Sequence, residues 1–308
     1  MKLLFMGTPD FAVHSLDALV AAEHEIVAVV AQPDRPKGRG KKLVSPPTIV
    51  RARELGIPTK QPRAVRSGPF VQWMTTEMDA DLAVVVAYGR ILIPALLDAP
   101  RRGCVNVHAS LLPKYRGAAP IQWAILEGED RTGVCTMQMD AGMDTGDVLL
   151  RRETPIGIDE TGPDLWARLA EMGAALVVET LDQLDDLVPQ VQDHDRATHA
   201  RPLVKADGVV DWTWTARRLH DRVRGTNPWP SGQTTFRGDG FRIHQTRLVE
   251  GESGATPGAV LEAGPRVVVA TGDGAVELLR VQAPNKARQD AADWANGARL
   301  LEGERFGA

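Results

Sequence analysis

The chain has 308 residues, of which 43% are apolar and 25% charged, with a formal net charge of −4. That length suits two domains, each able to bury its own core, and the composition is that of an ordinary soluble globular protein. No apolar run approaches the ~18–20 residues that a membrane helix needs, and Met1-Lys-Leu-Leu-Phe-Met-Gly7 leads straight into a strand, so a signal peptide is not expected.

The first two-thirds of the chain alternates strand-like and helix-like blocks. Lys2–Met6 is a short apolar run, and Asp10–Ala22 follows with Phe11, Leu16, Leu19 and Val20 at helical spacing. Glu25–Ala31 reads as a buried strand, and a helix is predicted near Thr48–Leu55. Leu82–Ala87 is the clearest central strand, Cys104–His108 the next, and Ala118–Leu126 the helix after it. Thr161–Leu184 is predicted as one long helix, with Leu165, Leu169, Met172, Leu176 and Val177 on one stripe. Continuous β-branched runs between helices predict a doubly wound α/β domain around a mostly parallel sheet, Rossmann-like in layout.

Residues 189–205 are polar, rich in His and Asp and without periodicity, and are expected to link the 1–188 domain to a 206–308 domain. The texture changes beyond them. A helix near Thr215–Arg224 precedes short segments, Arg242–Val249, Ala259–Glu262 and Arg266–Ala270, separated by Gly-rich turns. Thr271-Gly-Asp-Gly274 is a hairpin turn in this reading, and a small β-barrel is the predicted fold.

The net charge hides an asymmetry. Between Gln32 and Arg66 ten Lys or Arg face two acidic residues, which leaves the rest of the chain at −12. One basic segment on an acidic body points to a localised polyanion site. Its densest run, Arg35-Pro-Lys-Gly-Arg-Gly-Lys-Lys42, is punctuated by Gly and Pro and is predicted as a loop, disordered over Lys37–Lys42. Without aromatics it suits phosphates rather than base stacking. A solvated loop with no partner is the plainer alternative. From Ala206 onward 13 cations balance 13 acids, so any binding there needs a local patch, for which Arg217, Arg218, Arg222 and Arg224 on the predicted helix are candidates.

Chemistry gathers in Val105-Asn-Val-His-Ala-Ser-Leu-Leu-Pro113. Two positions apart on a strand, Asn106 and His108 share one face, at the carboxyl end where α/β proteins carry their sites. An amide donor beside an imidazole suits a developing oxyanion. A carboxylate, Asp144, follows in the Gly-flanked turn Met139-Asp-Ala-Gly-Met-Asp-Thr-Gly146. The trio suggests acyl-type transfer without a metal. Taken singly, each residue also suits a plain turn or a satisfied polar contact. Gly7-Thr-Pro-Asp after the first strand lacks the Gly-x-Gly-x-x-Gly of a dinucleotide site, so NAD and ATP are not expected. Cys104 and Cys135, on separate predicted strands, form no metal-ligand pattern and fit a reducing compartment.

The segment from Asn106 to Gln122, with Asp144-Thr-Gly146, resembles the 10-formyltetrahydrofolate-dependent formyltransferases. Gly7-Thr-Pro-Asp-Phe11, the basic run Gln32–Leu43, Val86-Ala-Tyr-Gly89 and Asn227-Pro-Trp-Pro230 narrow the resemblance to the branch that formylates initiator methionyl-tRNA. The resemblance runs over nearly the whole chain. It implies an OB-like C-terminal barrel that binds tRNA, a formyl-folate co-substrate and a cytoplasmic enzyme acting in translation initiation, expected as a monomer. Asn106, His108 and Asp144 are the implied catalytic residues. Ser110, Leu111, Leu112 and Pro113, with Tyr88, Gly89, Ile91, Leu92 and Asp140, are implied around the folate. Arg39, Lys41 and Lys42 would meet the tRNA acceptor stem, and Phe11 would line the methionine pocket. The same trio would serve a formyltransferase of nucleotide-sugar or glycinamide ribonucleotide amines, or a formyl-folate hydrolase. A non-catalytic tRNA- or folate-binding protein is the rival from another class. Ten cations in 35 residues argue for a macromolecular acceptor.

Overall fold

The computed structural model describes every residue except Arg39, Lys41, Glu252 and Ala308. In chain order the elements are β1 (Lys2–Gly7), α1 (Asp10–Ala21), β2 (Glu25–Val30), β3 (Arg35–Lys37), β4 (Lys42–Val44), α2 (Pro47–Glu54), β5 (Thr59–Lys60), α3 (Pro69–Thr76), β6 (Leu82–Val86), α4 (Pro94–Leu97), β7 (Cys104–His108), β8 (Arg116–Gly117), α5 (Pro120–Leu126), β9 (Arg131–Gln138), β10 (Val148–Pro155), α6 (Gly162–Asp182), β11 (His199–Ala200), α7 (Ala216–Gly225), β12 (Gly232–Phe236), β13 (Asp239–Val249), β14 (Val260–Ala263), β15 (Val267–Ala270), β16 (Ala275–Gln282), β17 (Gln289–Asp290) and α8 (Ala291–Ala298). The chain divides into two units. One holds Met1–Pro120, Thr132–Thr154 and Trp166–Ala200, and the other holds Ile121–Arg131, Pro155–Leu165 and Arg201–Ala308.

The first unit is built on a seven-stranded sheet in the order β10-β9-β7-β6-β1-β2-β5. Pairing is parallel from β5 through β2, β1 and β6 to β7, then turns antiparallel at β9. Leu82-Ala-Val-Val-Val86 is buried at every position, as a strand covered on both faces must be. The chain runs outward from β1 through β2 to β5 and then restarts on the other side of β1 with β6. The switch point therefore lies between β1 and β6, and ligands of doubly wound sheets bind beyond the carboxyl ends there. Proline opens α2, α3 and α4, where its missing N–H costs no helical hydrogen bond. In α1 the buried residues Phe11, Ala12, Ser15, Leu16 and Leu19 recur at helical spacing and form its inner face.

The basic run differs from its predicted irregular loop. Arg35 pairs with Val44, Pro36 with Leu43 and Lys37 with Lys42, so β3 and β4 form a short antiparallel hairpin. Leu43 and Val44 supply strand-favouring residues on the far side of the Gly-punctuated stretch. Arg39 and Lys41 lie outside the described residues.

The second unit carries an antiparallel sheet in the order β12-β13-β16-β15-β14, with β17 added to β16. Register shifts in β13 at Ile243/Gln245 and Gln245/Thr246 bend the strand. The C-terminal segment then joins the two ends of the sheet, Phe306 bridging Phe236 at the end of β12 and Arg305 bridging Ala259 beside β14. Trp212, Phe236, Phe241, Trp294 and Phe306 pack together inside, with ring centroids 4.7–6.2 Å apart.

Two buried histidines of this unit are held neutral. His244 gives its Nε2 proton to Gln282 Oε1 at 3.2 Å, and its Nδ1 has no partner among the described residues. Burial, reinforced by Arg288, Arg242 and Arg280, pushes its pKa down to about 4. His220, between the Thr246 hydroxyl at 2.9 Å and the Ile158 carbonyl at 2.8 Å, is also pushed down, chiefly by burial. The unfolded chain takes up protons at both positions below pH ~6.5 while the folded one resists. Stability is therefore full above that pH and falls as the pH drops from about 6.5 towards 4. In urea titrations of wild type and His244→Gln, the midpoint should fall less for the variant between pH 7 and pH 5. Equal losses would contradict the assignment to His244.

Candidate active site

The alternation of β7 sets the site. Asn106 and His108 point to the same side of the sheet, 8% and 6% exposed. His108 Nε2 lies 2.9 Å from the Tyr115 carbonyl oxygen. A carbonyl only accepts, so Nε2 carries the proton and Nδ1 is the nitrogen left for chemistry. Tyr115 reaches this position with a left-handed backbone, φ 59°. Asp144 approaches from the loop between β9 and β10, also left-handed at φ 55°, a conformation that Asp tolerates. Its Oδ2 accepts the Gly117 N–H at 2.8 Å and stands 3.7 Å from His108 Nδ1. That is within ion-pair range and too long for a hydrogen bond. The Asn106 amide has no hydrogen-bond partner among the described residues. The structure thus brings together the three residues expected to be catalytic, with one amide and one ring nitrogen uncommitted.

Residues 190–200 do more than connect. Gln190 bridges Val148 at the start of β10, and β11 pairs with β8, matching His199 with Arg116 and Ala200 with Gly117. Thr198 Oγ1 accepts the Tyr115 N–H at 2.8 Å. Between them, Gln192 Nε2 donates to the carbonyls of Asp144 at 2.9 Å and Gly146 at 2.6 Å. The segment is a strap across the turn that meets His108 and the turn that carries Asp144. Gly146 is fixed by crowding, since a Cβ there would lie 1.8 Å from the Gln138 carbonyl oxygen.

The residues implied around the folate divide by role. The Tyr88 carbonyl accepts from Gln32 Nε2 at 3.0 Å and Thr8 Oγ1 at 3.1 Å. Gly89 has φ 75°, and a Cβ would meet Gln32 Nε2 at 2.5 Å. The Tyr88 ring is buried, its hydroxyl has no partner among the described residues, and burial pushes its pKa up to about 12. Leu92 belongs to the same core, whereas Ile91 is 53% exposed. Ser110 gives its hydroxyl to the Lys114 carbonyl at 2.6 Å and so closes its own turn. Leu112, 1% exposed, packs with Cys135, Met137 and Val148, while Leu111 and Pro113 are half-buried. Asp140 is exposed and accepts from Gly142 N at 3.0 Å and Thr145 Oγ1 at 2.6 Å, which shapes the loop.

Phe11 is buried edge-on against Trp166, with centroids 5.4 Å apart. Lys42 is exposed on β4, and Arg39 and Lys41 lie outside the described residues. The cluster on α7 is largely spent internally. Arg217 and Arg224 each bind Asp221 at 2.7 Å, Arg222 donates to the Asp207 carbonyl, and Arg218 stacks on Trp214 at 4.5 Å. Sequence reasoning missed Gln32, Arg116 and Gln192. The first two sit inside motifs already singled out, whereas nothing in the aperiodic stretch around Gln192 marks it.

A doubly wound sheet with an amide, an imidazole and a carboxylate at its carboxyl edge defines a group-transfer enzyme of the acyl type. The formyl transferase family matches residues 1–181 and the formyl transferase C-terminal domain matches residues 202–299. The chain belongs to the formyl transferase family. It is 50% identical over 309 residues to a methionyl-tRNA formyltransferase of Solibacter usitatus, covering 100% of this chain and 99% of the relative. A methionyl-tRNA formyltransferase of Jannaschia sp. is 49% identical over 98% of this chain and 99% of its own length. Among solved structures, the sugar 3N-formyl transferase WlaRD, crystallised in the presence of dTDP and 5-N-formyl-THF, superposes with a TM-score of 0.71. It is 17% identical and covers 93% of this chain and 99% of its own, so the likeness is one of fold.

Leu112 is held by core packing, so its replacement should act on stability. Leu112→Ala is expected to cost about 2–5 kcal/mol, read as a shifted urea midpoint. An unchanged midpoint would place Leu112 outside the core.

Proposed function

We propose that the protein transfers the formyl group of 10-formyltetrahydrofolate to the α-amine of methionyl initiator tRNA, giving the N-formylated initiator. What carries the reading is the uncommitted Asn106 amide beside His108 Nδ1, with Asp144 behind the ring, on a chain aligned end to end with methionyl-tRNA formyltransferases.

A free α-amine has a reference pKa of ~7.7–8, so a useful neutral fraction exists near pH 7 without a strong base. As it attacks the formyl carbon, a new C–N bond forms and negative charge gathers on the formyl oxygen. The Asn106 NH2 group donates to that oxygen, and one such donor lowers the barrier by about 3–4 kcal/mol. Because Nε2 is committed to Tyr115, His108 joins as a second donor only through a protonated Nδ1. Asp144 at 3.7 Å offsets the charge that the ring then carries. Asp144 also accepts the amine's proton, directly or through a water. Collapse breaks the bond from the formyl carbon to N10, and that nitrogen takes up a proton.

Folate is proposed to lie among the Tyr88–Leu92 turn, the Ser110–Pro113 turn and the Asp140–Asp144 loop. Ile91 and Leu111 offer it apolar surface, while Tyr88, Leu92 and Leu112 support those turns from the core. Arg39, Lys41 and Lys42 are proposed to meet acceptor-stem phosphates. Phe11 is proposed to back the methionine pocket. The reading places the protein in the cytoplasm and requires no second subunit; among the described residues no helix is long and apolar enough to cross a membrane.

The test is formyl transfer to charged initiator methionyl-tRNA. Asn106→Ala should lower kcat by about 100- to 1000-fold with Tm little changed, because its amide has no hydrogen-bond partner among the described residues. Near-full turnover would remove Asn106 from the mechanism. Consumption of folate with inert tRNA would move the acceptor to a small amine or to water.

A further inference from the structure

A buried guanidinium lies next to the site without a counter-ion among the described residues. Arg116, 4% exposed, donates through Nε at 3.1 Å and through a terminal nitrogen at 2.7 Å to Gln192 Oε1, and to His194 Nδ1 at 3.0 Å. No carboxylate pairs with it among the described residues. Burying an arginine against neutral partners is costly, so its retention beside the trio calls for a role. Two donors on Oε1 fix which end of the Gln192 amide is oxygen. The NH2 end must then face the other way, where it meets the Asp144 and Gly146 carbonyls. Arg116 also polarises that amide, which strengthens both donated bonds.

We infer that Gln192, oriented by Arg116, is a positioning residue that holds Asp144 at its distance from His108. The inference rests on the functional reading above. Asp140 shapes the loop around Asp144 through Gly142 and Thr145, and among the described residues two further bonds hold Asp144 itself. Gly117 N–H holds the carboxylate, and Gln192 holds the backbone that carries it. Since β8 contains both Arg116 and Gly117, a single short strand orients the carboxylate from one side and the backbone clamp from the other. Loss of the clamp frees the turn to leave its left-handed conformation and carries the carboxylate away from the imidazole.

Gln192→Glu separates this role from simple packing. A carboxylate would pair with Arg116 more strongly than the amide does, yet it has no proton for the two carbonyls. The expected result is a Tm no lower than wild type, with kcat reduced about 10- to 100-fold and KM for both substrates within about twofold. Exchange of the Gly117 amide hydrogen should quicken, because its acceptor moves. Unchanged kcat with unchanged Gly117 exchange would overturn the inference, and so would kcat loss that merely tracks a fall in Tm. Should the glutamate variant not fold, Gln192→Asn keeps the donor but falls one methylene short, and the same two readings apply to it. Wild type inert towards methionyl-tRNA would overturn the functional reading alone. Gly117 exchange, which needs no substrate, would then decide the clamp by itself.

Discussion

The hydrogen bond from His108 Nε2 to the Tyr115 carbonyl, 2.9 Å long, governs the chemistry that the site can perform. It spends one ring nitrogen and thereby fixes the tautomer, so that the other faces Asp144 and whatever lies beside Asn106. That constraint reaches outward. The Tyr115 carbonyl is aimed by a left-handed residue, Tyr115 is held at its N–H by Thr198, and the next two residues pair with His199 and Ala200. The imidazole, carboxylate and strap form one bonded assembly, whereas Asn106 stands apart from it with no amide partner among the described residues.

This division of labour suits transfer chemistry. A donor for an oxyanion must be ready for a charge that does not yet exist, which is why an unpaired amide at the edge of a rigid strand is useful. A group that handles a proton needs a defined partner and a defined tautomer, and that needs scaffolding. The sheet supplies the first through the period of β7. The second comes from loops that a sheet cannot orient by itself, and here they are oriented by side-chain amides, Gln32 under the Tyr88–Gly89 turn and Gln192 under the Asp144–Gly146 turn.

Much of this was legible in the residues. Strands such as Leu82–Val86 are unbroken apolar runs, and the stripe on α6 keeps strict helical spacing, so local pattern and tertiary burial agree. The placement of Asn106 and His108 on one face, and of Asp144 in a turn, was visible because a two-residue spacing and a Gly-flanked turn are local signals. The β3–β4 hairpin was not, since pairing across a Gly-rich tip leaves the pattern of a loop. Gln192 was invisible for a different reason. Its partners lie 46 to 76 residues away in the chain, in a segment with no periodicity of its own. For the arginines of α7 the residues left pairing open, since charge says nothing about it until Asp221 is seen between Arg217 and Arg224 and the Asp207 carbonyl beside Arg222.

The C-terminal bridges have a consequence for synthesis. Phe306 reaches the end of β12 at Phe236 and Arg305 reaches Ala259 beside the start of β14, so both outer strands of the second sheet wait for a segment made well after them. On a ribosome, where earlier segments emerge first, the outer strands wait with unpaired backbone edges of the kind that invite association with other chains. Closure is thus a long-range event, and the segment around Arg305 and Phe306 acts as a latch whose timing, as much as its strength, protects the nascent protein.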